Sequence, residues 1–290
     1  MKKVAVMIGS YNDKVRVLKA LGSVLKQDYK NIEIVVVDDG SFDGTVESIG
    51  NLSRLYKNIH LVALKHLERG IGRNKGIEEA LKYDPEYLFV MDGDMKMNEG
   101  LITSMVNYIE KSTDIGALVI PEKPHSYHRN FFTKVKIFER EVINNDGSSY
   151  GKNSIEAARF WKIDEFLKTG GFNPDQIAFE EIQPSIRYLE KGGKIKRLRS
   201  NYVYHDEKKV TFTDIIRKKK YYFKKMETTI NTEEDGFLKA LKRWYFFRPV
   251  LYRPTNLVKY LRHPILFVGM ITMYLSLTAV YVKSMVSANQ

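Results

Sequence analysis

The sequence predicts an α/β protein: a mostly parallel sheet flanked by helices, then a basic, aromatic helical region and one membrane helix. Three observations carry this. The runs Ile32 to Val37, apolar but for Glu33, and Tyr87 to Met91 are continuous rather than alternating, as in strands buried on both faces of a parallel sheet. Strand-like and helix-like segments alternate at βαβ spacing as far as Ile120. Ile265 to Val282 is eighteen residues without a charge; at ~1.5 Å per residue it reaches ~27 Å, close to a bilayer core of ~30 Å.

Element by element, Val4 to Ile8 is a strand, since five apolar residues before Gly9 and Ser10 are too few for a signal-peptide core. Asn12 or Asp13 caps a helix with Val17, Leu18, Leu21, Val24 and Leu25 on one face. The β-branched run Ile32 to Val37 ends in the turn Asp38-Asp39-Gly40-Ser41, and Thr45 to Leu55 forms the next helix. Ile59 to Leu64 is a third strand, Gly72 to Leu81 a helix and Tyr87 to Met91 a fourth strand. A helix near Asn98 to Lys111 and a strand around Ala117 to Ile120 come next. Pro121, Pro124, His125 and His128 suggest a loop, Phe131 to Val142 a helix, and Asn144 to Asn153 a mobile loop over a site. Asp164 to Thr169 and Ile182 to Lys191 are short helices stopped by Gly170-Gly171 and Gly192-Gly193, and Lys194 to Leu198 is a strand.

The 290 residues suffice for a full core, with 43% hydrophobic content, and the absence of cysteine excludes disulfides and thiolate metal sites. The net charge of +12 is concentrated: Lys208 to His263 holds fifteen Lys and Arg against five Asp and Glu. Nucleic acid or an anionic membrane could attract such a block, and the uncharged stretch after it decides for the membrane. The aromatics Tyr221, Tyr222, Phe223 and Trp244 to Phe247 suit a membrane interface. Positive charge ahead of the helix puts the main domain on the cytoplasmic side of a cell membrane. The domains expected are residues 1–207, interfacial helices over 208–263, and a transmembrane or inserted helix over 264–283.

The chemistry centres on Asp92-Gly93-Asp94. Two carboxylates two residues apart on an extended chain point the same way, repel one another, and suit a hard cation such as Mg²⁺ or Mn²⁺; Gly93 permits close approach to the backbone. An acidic turn capping the next helix is the bland alternative.

Lined up in order, SYN at 10–12, VVVDDGSFDGT at 35–45, RGIGRNKG at 69–76, the Asp-Gly-Asp, and GGFN at 170–173 with Glu180-Glu181 and Arg187 resemble the family 2 glycosyltransferases of the GT-A fold. The resemblance covers roughly residues 2 to 207 and implies a nucleotide-sugar-binding half over 1–120 and an acceptor half over 121–207. It implies an inverting, metal-dependent transfer from a nucleotide-sugar, a UDP-sugar before a GDP-sugar, to a lipid-linked (polyprenyl) or glycan acceptor, and no nucleic acid. It implies that Ser10, Tyr11, Asn12, Asp38, Asp39, Gly40, Arg69, Arg73, Asp92 and Gly93 bind the donor; for such a donor Tyr11 can stack on the base and Asp39 can accept the imide N–H of a uracil. Asp94, with Asp92 and His205, would hold the metal; Glu181, or Glu180 beside it, would be the base. The family pattern has Glu-Asp where this chain has Glu180-Glu181. Trp161, Gly171, Phe172 and Arg187 would line or support the acceptor side. A Gln-x-x-Arg-Trp signature is lacking, since Gln183 and Arg187 are one residue too far apart, which favours transfer of single sugars over processive synthesis. Two rivals are a nucleotidyltransferase, which would need a basic Gly-rich loop where Gly9-Ser10-Tyr11-Asn12 stands, and a non-catalytic nucleotide-sugar-binding protein.

Overall fold

A computed structural model describes residues 1–67, 69–144, 156–175, 180–224 and 245–288. Most of the loop expected at Asn144 to Asn153, and Trp244, lie outside them. The chain forms two compact units: residues 1–123, 147–174 and 179–206, and residues 124–146, 175–178 and 207–290.

The first unit opens β1 (Val4–Ser10), α1 (Lys14–Leu25), β2 (Ile32–Asp38), α2 (Thr45–Leu55), β3 (Ile59–Ala63), α3 (Arg69–Leu81), β4 (Tyr87–Asp92). It continues β5 (Met95–Met97), α4 (Leu101–Glu110) and β6 (Ala117–Val119), and β7 (Glu122–His125) begins at its edge. β8 (Arg159–Lys162), α6 (Ile163–Leu167), α7 (Gln183–Glu190), β9 (Ile195–Arg197) and β10 (Val203–Asp206) complete it. The main sheet runs β3-β2-β1-β4-β8-β6-β9, parallel from β3 to β4 and broken by β8, which is antiparallel to both neighbours.

The uninterrupted apolar runs have a physical reason. Val4, Val6, Ile8, Ile34, Val36, Tyr87 and Phe89 enter the core on one face of the sheet, and Ala5, Met7, Val35, Val37, Leu88 and Val90 enter it on the other. Side chains alternate faces along a strand, so two covered faces leave few polar positions; Glu33 near the start of β2 is one, paired with His60. Register places Gly9 beside Asp92 and Ser10 beside Asp38, so β1, β2 and β4 present their carboxyl ends together. That edge of a doubly wound sheet is where ligands bind.

Four strands depart from the sequence expectation. β5, β8 and β10 fall outside the predicted elements, and β7 occupies part of an expected loop. Each is three or four residues long and finds its partner far along the chain, as when Met95 to Met97 pair antiparallel with Val203 to His205.

In the second unit, α5 (Phe131–Ile143), α8 (Phe212–Lys224), α9 (Pro254–Arg262) and α10 (Pro264–Ala288) are joined in part by short 3₁₀ turns at Tyr245–Phe247 and Pro249–Tyr252. Among the described residues one helix is long and apolar enough to cross a membrane, over Pro264–Lys283. Glu139 on α5 is buried. Burial alone would raise its carboxyl, but Lys136, Arg248 and the Tyr274 hydroxyl hold it down at about 2.

Candidate active site

Asp92 ends β4, and a tight crossing fixes the next two residues. The Gly93 N–H donates to the Gly9 carbonyl at 2.8 Å, and a Cβ on Gly93 would stand 2.7 Å from that same oxygen. The close approach Gly93 permits is therefore by the β1 backbone. Asp94 then turns towards β10, whose Asp206 N–H donates to the Asp94 carbonyl at 2.9 Å.

His205 on β10 is buried, with Nδ1 3.0 Å from Glu122 Oε2 and Nε2 3.4 Å from Asp94 Oδ2. A carboxylate on one imidazole nitrogen fixes the ring and leaves the other nitrogen to a cation, the usual support of a metal-binding histidine. Arg16 approaches the same Asp94 oxygen, its Nη1 3.5 Å from Oδ2 and donating to the Asp206 carbonyl at 2.6 Å. Among the described residues, no three or more His, Asp or Glu side chains group as a complete metal cage.

Asp92 faces elsewhere. Its Oδ1 accepts from Arg73 Nη2 at 2.9 Å, and Arg73 Nη1 lies 3.4 Å from Glu180 Oε1. Arg73 and Glu180 are both buried, while Asp92 keeps about a third of its side chain exposed. Burial works to lower the Arg73 guanidinium, but Asp92, Glu180 and Glu181 outweigh it and raise it, so the charge is held. Arg69 is more exposed and reaches to 3.9 Å from the same Glu180 oxygen. Glu181 is pushed up to about 8 by burial and by Glu180, against the pull of Arg73.

Two glycine-rich motifs a hundred residues apart meet here. A Cβ on Gly76 would lie 2.4 Å from Val37 Cγ2 and 2.6 Å from Met7 Sδ, so α3 sits low on the sheet and Arg73, one turn earlier, reaches the end of β4. A Cβ on Gly70 would lie 2.3 Å from the Asn173 carbonyl oxygen. Asn74 closes the contact reciprocally: its Nδ2 donates to the Phe172 carbonyl at 2.8 Å and its Oδ1 accepts from the Phe172 N–H at 2.9 Å. Arg187 donates to the Gly171 carbonyl, where Gly171 has φ +78°. Phe172 is buried with Arg73 over its ring at 5.3 Å. Trp161, 1% exposed, packs edge-to-face on Phe166 and Tyr188; it has no surface to offer an acceptor and supports the site from the core.

At the end of β2, Asp38 is fully buried and accepts from the Ser41 N–H and hydroxyl at 2.8 and 2.7 Å, so it shapes the turn from within. Gly40, at φ +84°, is required there, since a Cβ would meet the His66 nitrogen at 2.9 Å. Asn12 is tied to the same turn, accepting from the Phe42 N–H at 2.9 Å and donating its N–H to Ser41 Oγ at 2.7 Å. Asp39 accepts from the Leu67 N–H at 2.5 Å, and burial raises its carboxyl despite that bond. The Ser10 hydroxyl is buried without a hydrogen-bond partner among the described residues. Tyr11 is half-exposed and stacks on His66, with centroids 4.4 Å apart.

Sequence reasoning missed four participants. His66, Arg16, Glu122 and Asn74 touch Tyr11, Asp94, His205 and the Gly-Gly-Phe loop respectively. Asn74 stands in the RGIGRNKG motif and Arg16 one turn into α1; Glu122 is hidden in a Pro-rich stretch, and nothing local marks His66.

Residues 5–169 match the family model described as Glycosyl transferase family 2. A cholesterol galactosyltransferase of Borreliella burgdorferi is 21% identical over 84% of this chain and 74% of its own length. The poly(ribitol-phosphate) beta-N-acetylglucosaminyltransferase TarP of Staphylococcus aureus is 30% identical over 50% of this chain. The chain spans 45% of TarP and the same share of an uncharacterized glycosyltransferase of Haemophilus influenzae. In fold it is similar to the mannosyltransferase PcManGT of Pyrobaculum calidifontis, solved with GDP-Man and Mn²⁺, at a TM-score of 0.64 with 16% identity, covering 98% of this chain and 87% of that one.

Proposed function

Because this chain belongs to glycosyltransferase family 2 and is a glycosyltransferase, we propose that it transfers one sugar, with inversion, from a nucleotide-diphosphate sugar to a lipid-linked or glycan acceptor at a membrane. A UDP-sugar is the preferred donor. The observation that carries this reading is the Arg73 bridge, which joins Asp92 at the end of β4 to Glu180 beside Glu181. The acidic donor end and the candidate base thereby share one fixed cation.

Tyr11 stacks on the base, and Asp39 accepts from it. Arg69, exposed beside the same cluster, meets the diphosphate. Asp94 and His205, with Asp92 adjacent, suit Mn²⁺ or Mg²⁺, because Glu122 fixes the imidazole and the pair adds oxygen and nitrogen donors to those a diphosphate brings. Such a cation, when bound, stabilises the charge that grows on the leaving diphosphate. Glu181 takes the acceptor proton as the hydroxyl attacks the face opposite the leaving group. A phosphate acceptor is already ionised and hardly needs a base, so a carboxyl raised to about 8 favours a sugar hydroxyl. Residues 1–207 are the catalytic domain, facing the cytoplasm, and residues 208–283 attach it to the cell membrane.

The test is a donor screen by thermal shift with Mn²⁺ present, followed by mass analysis of products on native lipids. Mn²⁺-dependent hydrolysis of a UDP-sugar, abolished in Asp94→Asn, is expected. No turnover with any nucleotide-sugar in the presence of membrane lipid extract would sink the reading.

A further inference from the structure

The apolar helix α10 has two different faces. Gly269, Met270, Met273, Tyr274 and Leu277 form a buried stripe at helical spacing. This stripe packs on α5 and α8. The packing is close: a Cβ on Gly269 would stand 2.7 Å from both the Phe131 ring and Val135 Cγ2. Phe246 meets the Tyr274 ring edge-on at 5.4 Å. The helices that cover this stripe are charged. α5 carries Lys134, Lys136, Glu139, Arg140 and Glu141, and α8 carries Asp214, Arg217 and three consecutive lysines.

The opposite stripe is apolar and open. Ile265 is 73% exposed, Val268 62%, Leu275 59% and Val282 54%, with Thr272 and Ala279 between them. On α9, Leu257, Val258 and Leu261 are exposed as well. An apolar groove of about 380 Å³ opens along the start of the stripe, between Phe131 and Phe132 on one side and Ile265 and Val268 on the other.

We propose that α10 does not cross a bilayer as a single span but lies in the plane of one leaflet, its open stripe and that of α9 in an anionic lipid surface and its other face held on α5 and α8. The inference rests on the membrane attachment proposed above and deepens it. A spanning α10 would either shed the partners of its buried stripe or draw the charges of α5 and α8 into hydrocarbon, and both are strongly unfavourable. An in-plane helix leaves those charges outside the hydrocarbon, places a long apolar stripe at the headgroup boundary and offers the groove to an acyl chain. Lipid is favoured over a second copy of the chain by charge. Residues 208–263 carry a net +10, with Arg253 and Arg262 flanking the exposed leucines of α9. That charge attracts anionic headgroups and repels an identical surface.

The absence of cysteine makes topology directly readable. Lys57→Cys and Asn289→Cys, each in the full chain, are expressed, and sealed membrane vesicles are treated with a membrane-impermeant maleimide before and after detergent. Both reporters are expected to label from the same side; labelling from opposite sides overturns the inference. Flotation of the purified chain with phosphatidylcholine vesicles, with and without phosphatidylglycerol, reads the surface. Binding that requires the anionic lipid, and that falls about tenfold or more in Val268→Glu/Leu275→Glu, is expected. Both positions are exposed, so circular dichroism and melting should be unchanged. Equal binding by that variant, or a parent that stays unbound and sediments as a dimer, overturns it. Donor turnover is measured separately, so failure of the glycosyl-transfer reading leaves these outcomes distinct.

Discussion

Arg73 holds two carboxylates from motifs 88 residues apart, and its planar fork is what lets it do so. Nη2 goes to Asp92 and Nη1 towards Glu180. A lysine would keep the charge and lose the fork. Arg73→Lys is therefore expected to lower kcat by roughly 10- to 100-fold with little loss of fold, read by steady-state turnover. Arg73→Ala leaves the buried Glu180 carboxylate without its nearest counter-ion and should cost about 3–5 kcal/mol, read by denaturant unfolding. As the proposed base, Glu181 should set the pH response. With its carboxyl raised to about 8, the ionised base is the minor form at neutral pH, so kcat/KM should climb with pH through that region. Glu181→Gln should abolish turnover at every pH on that limb. The stability sign is the reverse. A raised carboxyl binds its proton more tightly when folded, so its stabilising effect is present below the ordinary carboxylate range and is lost as pH rises towards 8.

At the scale of elements, what could be read in the sequence depends on what each element needs locally. β1, β2 and β4 need only apolar side chains on both faces, and such runs announce themselves. β5, β7, β8 and β10 are short, carry Lys, Arg, Glu and His, and exist because a distant strand supplies their ladder. The site divides along the same line. Asp92, Asp94, Arg73 and Glu180 sit in motifs, whereas Glu122 reaches His205 only because β7 and β10 come together. Glycines carry the rest of the placement. Gly76→Ala forces a Cβ against Val37 and Met7, side chains that can give, and should cost about 1–3 kcal/mol in thermal or denaturant melts. Gly93→Ala meets a backbone oxygen that cannot yield, and should reduce Mn²⁺-dependent turnover as well as stability.

At the scale of the molecule, the second unit rests on a buried ionic cluster. Glu139 at about 2 contributes stability that is present above the ordinary carboxylate range and lost as pH falls towards 2, on the order of 3 kcal/mol. Glu139→Gln should unfold this unit at lower denaturant and flatten its acid transition, read by far-ultraviolet circular dichroism from pH 6 to about 2. Truncation before Pro264 would remove the packing of Tyr274 and its neighbours, so point changes on the open stripe of α10 probe its surroundings more cleanly. The Arg73 bridge also has a consequence in time. Its two partners leave the ribosome 88 residues apart. At about 5–20 residues per second, the nascent chain spends roughly 4–18 s with Asp92 in hand and Glu180 unmade. The cluster cannot close during that interval, so the proposed site is incomplete while the chain is being synthesised, and it is assembled only after the sheet that carries it has had time to form.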